Sequence, residues 1–328
     1  MLATSTAEIT KSQQDSELLK LRYEDYIAPF WGNHVANGYF SGMDNIQIAY
    51  AFAIHPEAIG SIAISSGRIE TLLKYKELVF NLYHAGYSVF IHDHRGQGLS
   101  ERMTENPHQG YVESFDDYVS DFKIFVDKVV LPKSKHKPFL IGHSMGSAIA
   151  SLYMLKHPDD FAKAVLSAPM FGIKPAMPTF FACTLTKVFM GLNKMVSSLP
   201  WYFPGQGDYC AAPFKGNVLT SCQSRYQVFR NEYVINPQCQ LGGVTSKWLH
   251  EAYLAMNVIQ SNANALELPI LLLQAGADQV VDNVRQDKVS AKFANCKAVH
   301  LSNARHELFM ELDSIRDVCL REILHFIG

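Results

Sequence analysis

The chain has 328 residues, of which 48% are hydrophobic and 18% charged, and its net charge at pH 7 is −2. This length and hydrophobic fraction are typical of one large core with an insertion. The near-neutral charge, with dispersed Lys and Arg, argues against a nucleic-acid partner and predicts only modest attraction to anionic lipid. Six cysteines without Cys-x-x-Cys spacing favour reduced thiols in a cytosolic compartment and no metal site.

The N-terminal segment is polar and has no apolar stretch of the signal-peptide type. We therefore expect a cytoplasmic protein. Residues 1–18 are expected to be flexible, or to become ordered only by docking.

Short apolar runs predict strands near residues 46–54, 59–65, 88–92, 138–143 and 163–168, with helices between the later ones. This alternation is typical of a mostly parallel sheet covered on both faces, an α/β fold. Two more runs of the buried-strand type, Pro269–Gln274 and Lys297–Leu301, precede a final helix predicted over Asp313–Ile327. The predicted core comprises residues 19–170 and 262–328.

Residues 171–261 break this rhythm, because they are rich in aromatics, Met, Gly and Pro and contain no buried-strand run. We interpret them as a cap inserted over the site. One predicted helix places Lys187 and Lys194 opposite an apolar face formed by Phe181, Leu185, Val188, Phe189, Leu192, Val196 and Leu199. That face either packs on the core, or lines an acyl-chain groove or rests on lipid. Its length and two lysines argue against a membrane span.

The most specific motif is Gly-His-Ser-Met-Gly, from Gly142 to Gly146, between an apolar run and a helix-like segment. This is the strand–turn–helix setting of a nucleophile elbow, with Ser144 as the candidate nucleophile. The turn is too tight for side chains at Gly142 and Gly146. The N–H of Met145, at the start of the helix, can stabilise negative charge on an attacked carbonyl oxygen.

A serine nucleophile requires a histidine base and a carboxylate that orients it, in the chain order Ser, Asp or Glu, His on this kind of sheet. Asp278 follows the run that ends at Gln274, and His306 follows the last predicted strand. Asp282 is an alternative acid, but Asp278 lies closer to the strand. His300 is predicted to belong to the strand itself.

A second oxyanion donor is expected from the loop after an early strand. In the loop 65–70, Gly67 permits a sharp backbone approach, and the N–H of Arg68 is the candidate donor. The Arg68 side chain either meets a substrate phosphate or pairs with Glu70, and we favour the pairing.

The segment Asp93–Ser100, Asp-His-Arg-Gly-Gln-Gly-Leu-Ser, together with the elbow and its partners, resembles the serine hydrolases grouped around monoacylglycerol lipase. In this segment Asp93 and Arg95 are expected to shape a loop beside the site. Within the group, the chain is most similar to the bacterial lysophospholipases of the second, inner-membrane-associated type, through segments such as Gly67–Glu70 and Gly242–Thr245. It departs from the lipase pattern at Ser66, where the lipases carry histidine.

This resemblance implies an α/β-hydrolase fold, a lysophospholipid substrate, peripheral contact with the cytoplasmic face of the inner membrane, and no metal or organic cofactor. Hydrolysis of monoacylglycerol and acyl transfer to another lipid are the alternatives it leaves open. A non-catalytic lipid-binding protein on the same scaffold is a further hypothesis, but such proteins typically lack a triad member. Epoxide hydrolases and dehalogenases place Asp where Ser144 stands.

Overall fold

The structure is a computed structural model that describes residues 17–175 and 178–328. Most of the segment predicted to be flexible, residues 1–16, therefore lies outside the described residues. Residues 17–34 are helical, with a π-helical turn at Tyr23–Ile27 that continues into α1, Ala28–His34. Phe30 of α1 is buried, and its ring centroid lies 4.9 Å from that of Tyr83. Aromatic packing thus attaches this helix to the core.

Across the described ranges, eight strands form one sheet in the order β1-β2-β4-β3-β5-β6-β7-β8. Strands β1 and β2 pair antiparallel, β2 also pairs antiparallel with β4, and the remaining pairs are parallel. The strands are β1 Ala36–Ser41, β2 Gln47–Ala53, β3 Gly60–Ser65, β4 Tyr87–His92, β5 Phe139–His143, β6 Ala164–Ser167, β7 Ile270–Ala275 and β8 Cys296–Leu301. The mostly parallel α/β fold predicted from the apolar runs is confirmed.

Helices cover the sheet because their buried faces are apolar, as in α2, where Leu78, Val79 and Leu82 are buried. The helices around the sheet are α2 Lys76–His84, α3 Phe115–Phe125, α4 Met145–Lys156, α8 Asn283–Ser290 and α9 Asp313–Ile327. Helix α3 begins with a capping box, in which Ser114 accepts from the N–H of Asp116 and Asp117 accepts from the N–H of Ser114. Helix α9 has the predicted bounds.

In the described residues between β6 and β7, three α-helices are present: α5 Thr179–Val196, α6 Gln223–Ile235 and α7 Ser246–Asn262. Helix α5 packs on α7 through its small side chains. Ala182 and Thr186 are buried there, and Thr186 Oγ1 lies 2.9 Å from His250 Nδ1.

The predicted apolar face of α5 is turned mostly to solvent. Phe181 is 65% exposed, Val188 52% and Val196 72%. The interpretation that this face packs on the core is therefore wrong, because the narrow side formed by Ala182 and Thr186 makes the contact instead. None of the helices in the described residues is both long and apolar enough to cross a membrane.

Candidate active site

Ser144 stands at a sharp turn between β5 and α4, with φ 51° and ψ −115°. A non-glycine residue at positive φ is strained and is held there by its surroundings. A Cβ at position 142 would lie 2.7 Å from Ser147 Cα, and one at position 146 would lie 2.1 Å from Ser65 O. Gly142 and Gly146 are therefore required by close backbone packing, which fixes the serine at the end of β5.

Ser144, His306 and Asp278 form a hydrogen-bonded chain. His306 Nε2 lies 2.9 Å from Ser144 Oγ, and His306 Nδ1 lies 2.7 Å from Asp278 Oδ2. All three residues are buried. Asp278 follows β7 and His306 follows β8, so the carboxyl ends of three parallel strands bring the residues together. In this arrangement the imidazole can accept a proton from the serine hydroxyl while the carboxylate orients it.

The second oxygen of Asp278 accepts hydrogen bonds from the backbone N–H groups of Val280, at 2.7 Å, and Val281, at 3.0 Å. Burial disfavours the carboxylate charge, but the bonds from His306 and these two N–H groups outweigh it, so the pKa of Asp278 is lowered. Asp278 is therefore a carboxylate at neutral pH.

Asp282, the alternative acid, caps a helix instead of binding His306. Asp282 is the N-cap of α8, where Oδ1 accepts from the N–H of Val284 at 3.0 Å. His300 lies in β8, as predicted, and its side chain is exposed.

The loop after β3 is held by side chains around Gly67. Its N–H donates to the Glu70 carboxylate, and its carbonyl accepts from Gln97 Nε2 at 2.8 Å. These bonds fix the backbone that leads into Arg68. Across the site, Met145 is the first residue of α4, so its N–H has no acceptor within the helix.

A buried ionic cluster lies beneath this loop, and sequence reasoning missed it. Lys74 Nζ lies 2.6 Å from both Glu70 Oε1 and Glu307 Oε1, and Tyr75 donates its hydroxyl to Glu70 at 2.6 Å. Burial raises the pKa of Glu70, but Lys74, His143 and Tyr75 outweigh it and lower that pKa to about 2. The spacing of four between Glu70 and Lys74, and the position of Glu307 next to His306, were the available signals.

The prediction that Arg68 pairs with Glu70 is wrong, because Glu70 turns inward to Lys74 and Tyr75. Arg68 Nη2 instead donates to Gly242 O at 2.6 Å, and Arg68 Cζ lies 5.2 Å from the centroid of the Trp248 ring.

Asp93 and Arg95 are both buried, and they bind neighbouring loop backbone and helix α3, respectively. Asp93 accepts from the N–H groups of Leu72, at 2.6 Å, and Leu99, at 2.7 Å. Arg95 makes a two-point contact with Asp121, at 2.6 and 2.9 Å. The bond between Asp93 and Leu72 links the loop after β4 to the segment that follows Glu70.

His143 precedes Ser144 in the chain but does not belong to the hydrogen-bonded chain of Ser144, His306 and Asp278. Its ring centroid lies 5.0 Å from that of His306, and its Nε2 faces Glu70 at 3.7 Å. Burial lowers the pKa of His143 to about 4, so the ring is neutral at pH 7. The His143 ring lies between His306 and the ionic cluster.

A cavity of about 710 Å³ opens onto Ser144 and His306. Its size is typical of a pocket for a small-molecule ligand. Much of its lining is apolar and comes both from residues 171–261 and from the segments that flank them. It includes Met170, Leu185, Phe203, Phe229, Leu249 and Val281. Two arginines, Arg68 and Arg230, also line it.

Residues 56–313 match the family model described as serine aminopeptidase, S33. The chain belongs to the S33 family. Among curated proteins, this S33 member is 35% identical to lysophospholipase L2 of Escherichia coli over 298 residues, which is 88% of this chain and 86% of that protein. It is 30% identical to human monoglyceride lipase over 230 residues, or 70% and 67% of the two chains.

The resemblance to bacterial lysophospholipases of the monoacylglycerol lipase group is thus confirmed. Among solved structures, the S33 member is similar to the monoacylglycerol lipase of Paleococcus ferrophilus. The TM-score is 0.67 at 21% identity, and the match covers 85% of this chain and 98% of the other. This likeness shows the α/β-hydrolase fold.

Proposed function

We propose that this S33-family protein is a serine esterase that hydrolyses the acyl ester of lysophospholipids to a fatty acid and a glycerophospho-alcohol. The observation that carries the proposal is the hydrogen-bonded chain from Ser144 through His306 to Asp278 at the base of an apolar cavity. The similarity to lysophospholipase L2 over most of the chain supports the substrate class.

The reaction begins when Ser144 Oγ attacks the ester carbonyl carbon and its proton passes to His306 Nε2. Asp278 stabilises the resulting imidazolium through Nδ1. The tetrahedral intermediate then collapses, and the departing glycerol oxygen takes the proton from His306 and leaves an acyl-Ser144. A water molecule, deprotonated by His306, releases the fatty acid and restores the hydroxyl.

The oxyanion of each tetrahedral intermediate is held by the backbone N–H groups of Met145 and Arg68. Met145 is the first residue of α4. Arg68 follows Gly67, whose backbone is held by hydrogen bonds to Glu70 and Gln97. A donor fixed before the reaction needs no reorganisation as charge develops, and each contributes about 3 to 4 kcal/mol to transition-state stabilisation.

Residues 171–261 act as a cap that receives the acyl chain. Leu185 of α5, Phe229 of α6 and Leu249 of α7 all line the cavity above the triad. An acyl chain placed against these side chains leaves water, which contributes about 0.8 kcal/mol per buried CH₂.

The test is fatty-acid release from oleoyl lysophosphatidylethanolamine and from monooleoylglycerol by the wild type and by Ser144→Ala. We expect turnover of the lysophospholipid to exceed that of the monoacylglycerol, and Ser144→Ala to lose both. Covalent labelling by a fluorophosphonate should occur in the wild type and not in the variant. Equal turnover in the alanine variant would remove Ser144 from the mechanism.

The protein also contacts a lipid surface peripherally through α5. The exposed apolar side chains of this helix include Phe180 at 76%, Met195 at 84% and Val196 at 72%. Leu185 is both partly exposed and part of the cavity lining, so the apolar surface continues into the pocket. Lys187 and Lys194 are also exposed but lie on the opposite side of the helix, so this contact is carried by the apolar side chains.

Flotation with phosphatidylethanolamine–phosphatidylglycerol vesicles tests this contact. We expect Val188→Glu with Val196→Glu to reduce vesicle binding while cleavage of a water-soluble short-chain ester persists. The matched control is Ile59→Glu, since Ile59 is 66% exposed but precedes β3 at the opposite end of the parallel strands. Vesicle binding by the double variant at the wild-type level would rule out α5 as the contact.

A further inference from the structure

Two partly buried arginines in the cavity have no carboxylate partner, unlike some fully buried arginines elsewhere in the protein. Arg95 pairs with Asp121, and Arg225 pairs with Glu77. Within the described part of the chain, neither Arg68 nor Arg230 lies within salt-bridge distance of an acidic group. Both line the cavity that holds Ser144. A cation left without a counter-charge in a largely apolar pocket is available to an anionic ligand.

The Arg68 guanidinium packs against the backbone of two glycines and the indole of Trp248. A Cβ on Gly110 would lie 2.8 Å from Arg68 Nη2, so the guanidinium rests directly on that backbone. Gly242 O accepts one N–H, and the Trp248 ring faces Cζ at 5.2 Å. The buried Nε has no partner among the described residues. A guanidinium has five N–H donors, so most of this one remains available.

Arg230 is held in the same way, by aromatic rings. Its Cζ lies 4.9 Å from the centroids of both Tyr226 and Phe229, and its buried Nε also lacks a partner in the described residues. Cation–π contacts hold a guanidinium in place without neutralising its charge.

The carboxylates that line the cavity are already engaged elsewhere. Glu70 and Glu307 share Lys74. Asp208 accepts from the Tyr202 hydroxyl at 2.5 Å and from Asn106 Nδ2 at 2.8 Å. Lys174, another cation of the lining, is exposed and donates to the backbone oxygen of Asp278 at 2.5 Å. Asp208 and Lys174 keep their charges, because their partners are neutral, but both are exposed. The two arginines are therefore the partly buried cations of the lining that have no carboxylate partner.

We propose that Arg68 and Arg230 bind the phosphodiester of the substrate and so select phosphate-bearing monoacyl lipids over neutral ones. The proposal rests on the function proposed above. Guanidinium forks match phosphate oxygens in two-point contacts. In a lysophospholipid a three-carbon glycerol separates the ester from the phosphate. Arg68 is suited to contact both groups, because its backbone N–H is the proposed oxyanion donor and its side chain extends to Trp248.

The electrostatic environment of Arg68 favours binding of an anion. Burial lowers the pKa of Arg68 to about 10, against weak opposing effects of Tyr118 and Tyr202. The group stays charged at neutral pH and gains a counter-ion when a phosphate arrives.

The experiment compares kcat/KM for oleoyl lysophosphatidylethanolamine and monooleoylglycerol in neutral detergent micelles. The variants are Arg68→Gln and Arg230→Gln, and the matched control is Arg321→Gln, an exposed arginine of α9. We expect the ratio of the two kcat/KM values to fall about 10- to 100-fold in each cavity variant and not in the control. A ratio within about twofold of the wild type in both cavity variants would overturn the proposal.

A second readout is independent of lysophospholipid turnover. Glycerophosphoethanolamine should slow fluorophosphonate labelling of Ser144 in the wild type and lose this effect in Arg68→Gln and Arg230→Gln. The labelling itself reports that each variant has folded. Protection by inorganic phosphate but not by glycerophosphoethanolamine would indicate a free-anion site and overturn the head-group assignment. If the wild type cleaves no lysophospholipid, the proposed function fails, and the protection assay still decides the phosphate site.

Discussion

Lys74 Nζ lies 2.6 Å from Glu307, the residue that follows His306 in the chain. The same ammonium lies 2.6 Å from Glu70, which accepts the N–H of Gly67. One buried cation therefore joins the loop that carries His306, the proposed base, to the loop that carries the proposed oxyanion donor.

Replacing Lys74 by Met should destabilise the protein and reduce turnover together. The substitution leaves two buried carboxylates without their shared cation, which costs about 3–5 kcal/mol for a broken buried pair. Urea unfolding measures the stability, and ester hydrolysis measures the activity. Lys156→Met is the control, because its ion pair with Asp116 is exposed and contributes less than about 1 kcal/mol. Wild-type stability in Lys74→Met would show that the cluster does not hold the loops.

Much of the fold could be predicted because the central strands are buried on both faces. Strands β3 to β7 appear in the sequence as continuous apolar runs, which is typical of parallel sheets. Strand β1 was missed because Ala36–Ser41 is an edge strand, with Asn and Gly in it and little of it buried. The order Ser144, Asp278, His306 was predictable from the elbow motif and the strand ends.

The direction of individual side chains could not be predicted in the same way. The apolar face of α5 indicated burial, but Ala182 and Thr186 allow the closest approach to α7. Arg68 and Glu70 are close in sequence but do not pair with each other. Arg68 binds Gly242, which is distant in sequence, and Glu70 binds Lys74, one helical turn further along the chain. Such contacts depend on tertiary packing, which a local pattern does not record.

Asp278→Asn and Asp282→Asn should differ sharply in activity. Asn at 278 cannot stabilise the imidazolium or hold the correct tautomer of His306, so kcat should fall on the order of 10⁴-fold. Asn at 282 still caps α8, because Asn and Asp are comparable N-caps, and activity should stay near the wild type. Steady-state ester hydrolysis by the two purified variants measures the difference. A larger loss in the Asp282 variant would reassign the orienting acid.

Two glycine-to-alanine changes should have opposite effects on stability. In Gly146→Ala the new Cβ would lie 2.1 Å from Ser65 O and 2.4 Å from Ser66 O, so the elbow must move. We expect a loss of about 1–3 kcal/mol or more, together with lower turnover. Gly191 lies on the exposed side of α5, and a methyl group added there would meet no atom within 4 Å, so Gly191→Ala should stabilise by about 0.8–1 kcal/mol. Thermal unfolding of both variants measures this, and a Gly146→Ala protein as stable as the wild type would contradict the close packing.

The stability of the protein should fall as the pH is lowered from 7 to 5, partly through His92. This ring is fully buried against Phe122 and Phe125, and neither nitrogen has a partner among the described residues. Burial, with a smaller effect of His94, lowers the pKa of His92 well below its usual range. The unfolded chain therefore binds a proton below about pH 6.5 that the folded chain does not, and stability is lost as the pH falls.

His92→Phe removes the group that binds this proton in the unfolded chain, and it keeps an aromatic ring packed against Phe122 and Phe125. The difference in unfolding free energy between pH 7 and pH 5 should therefore shrink by about 2 kcal/mol relative to the wild type. The variant should also be at least as stable at pH 7, because two buried polar atoms without partners are replaced by CH groups. Urea unfolding at the two pH values measures both effects. A pH dependence equal to that of the wild type would mean that His92 is already protonated, or hydrated, in the folded protein.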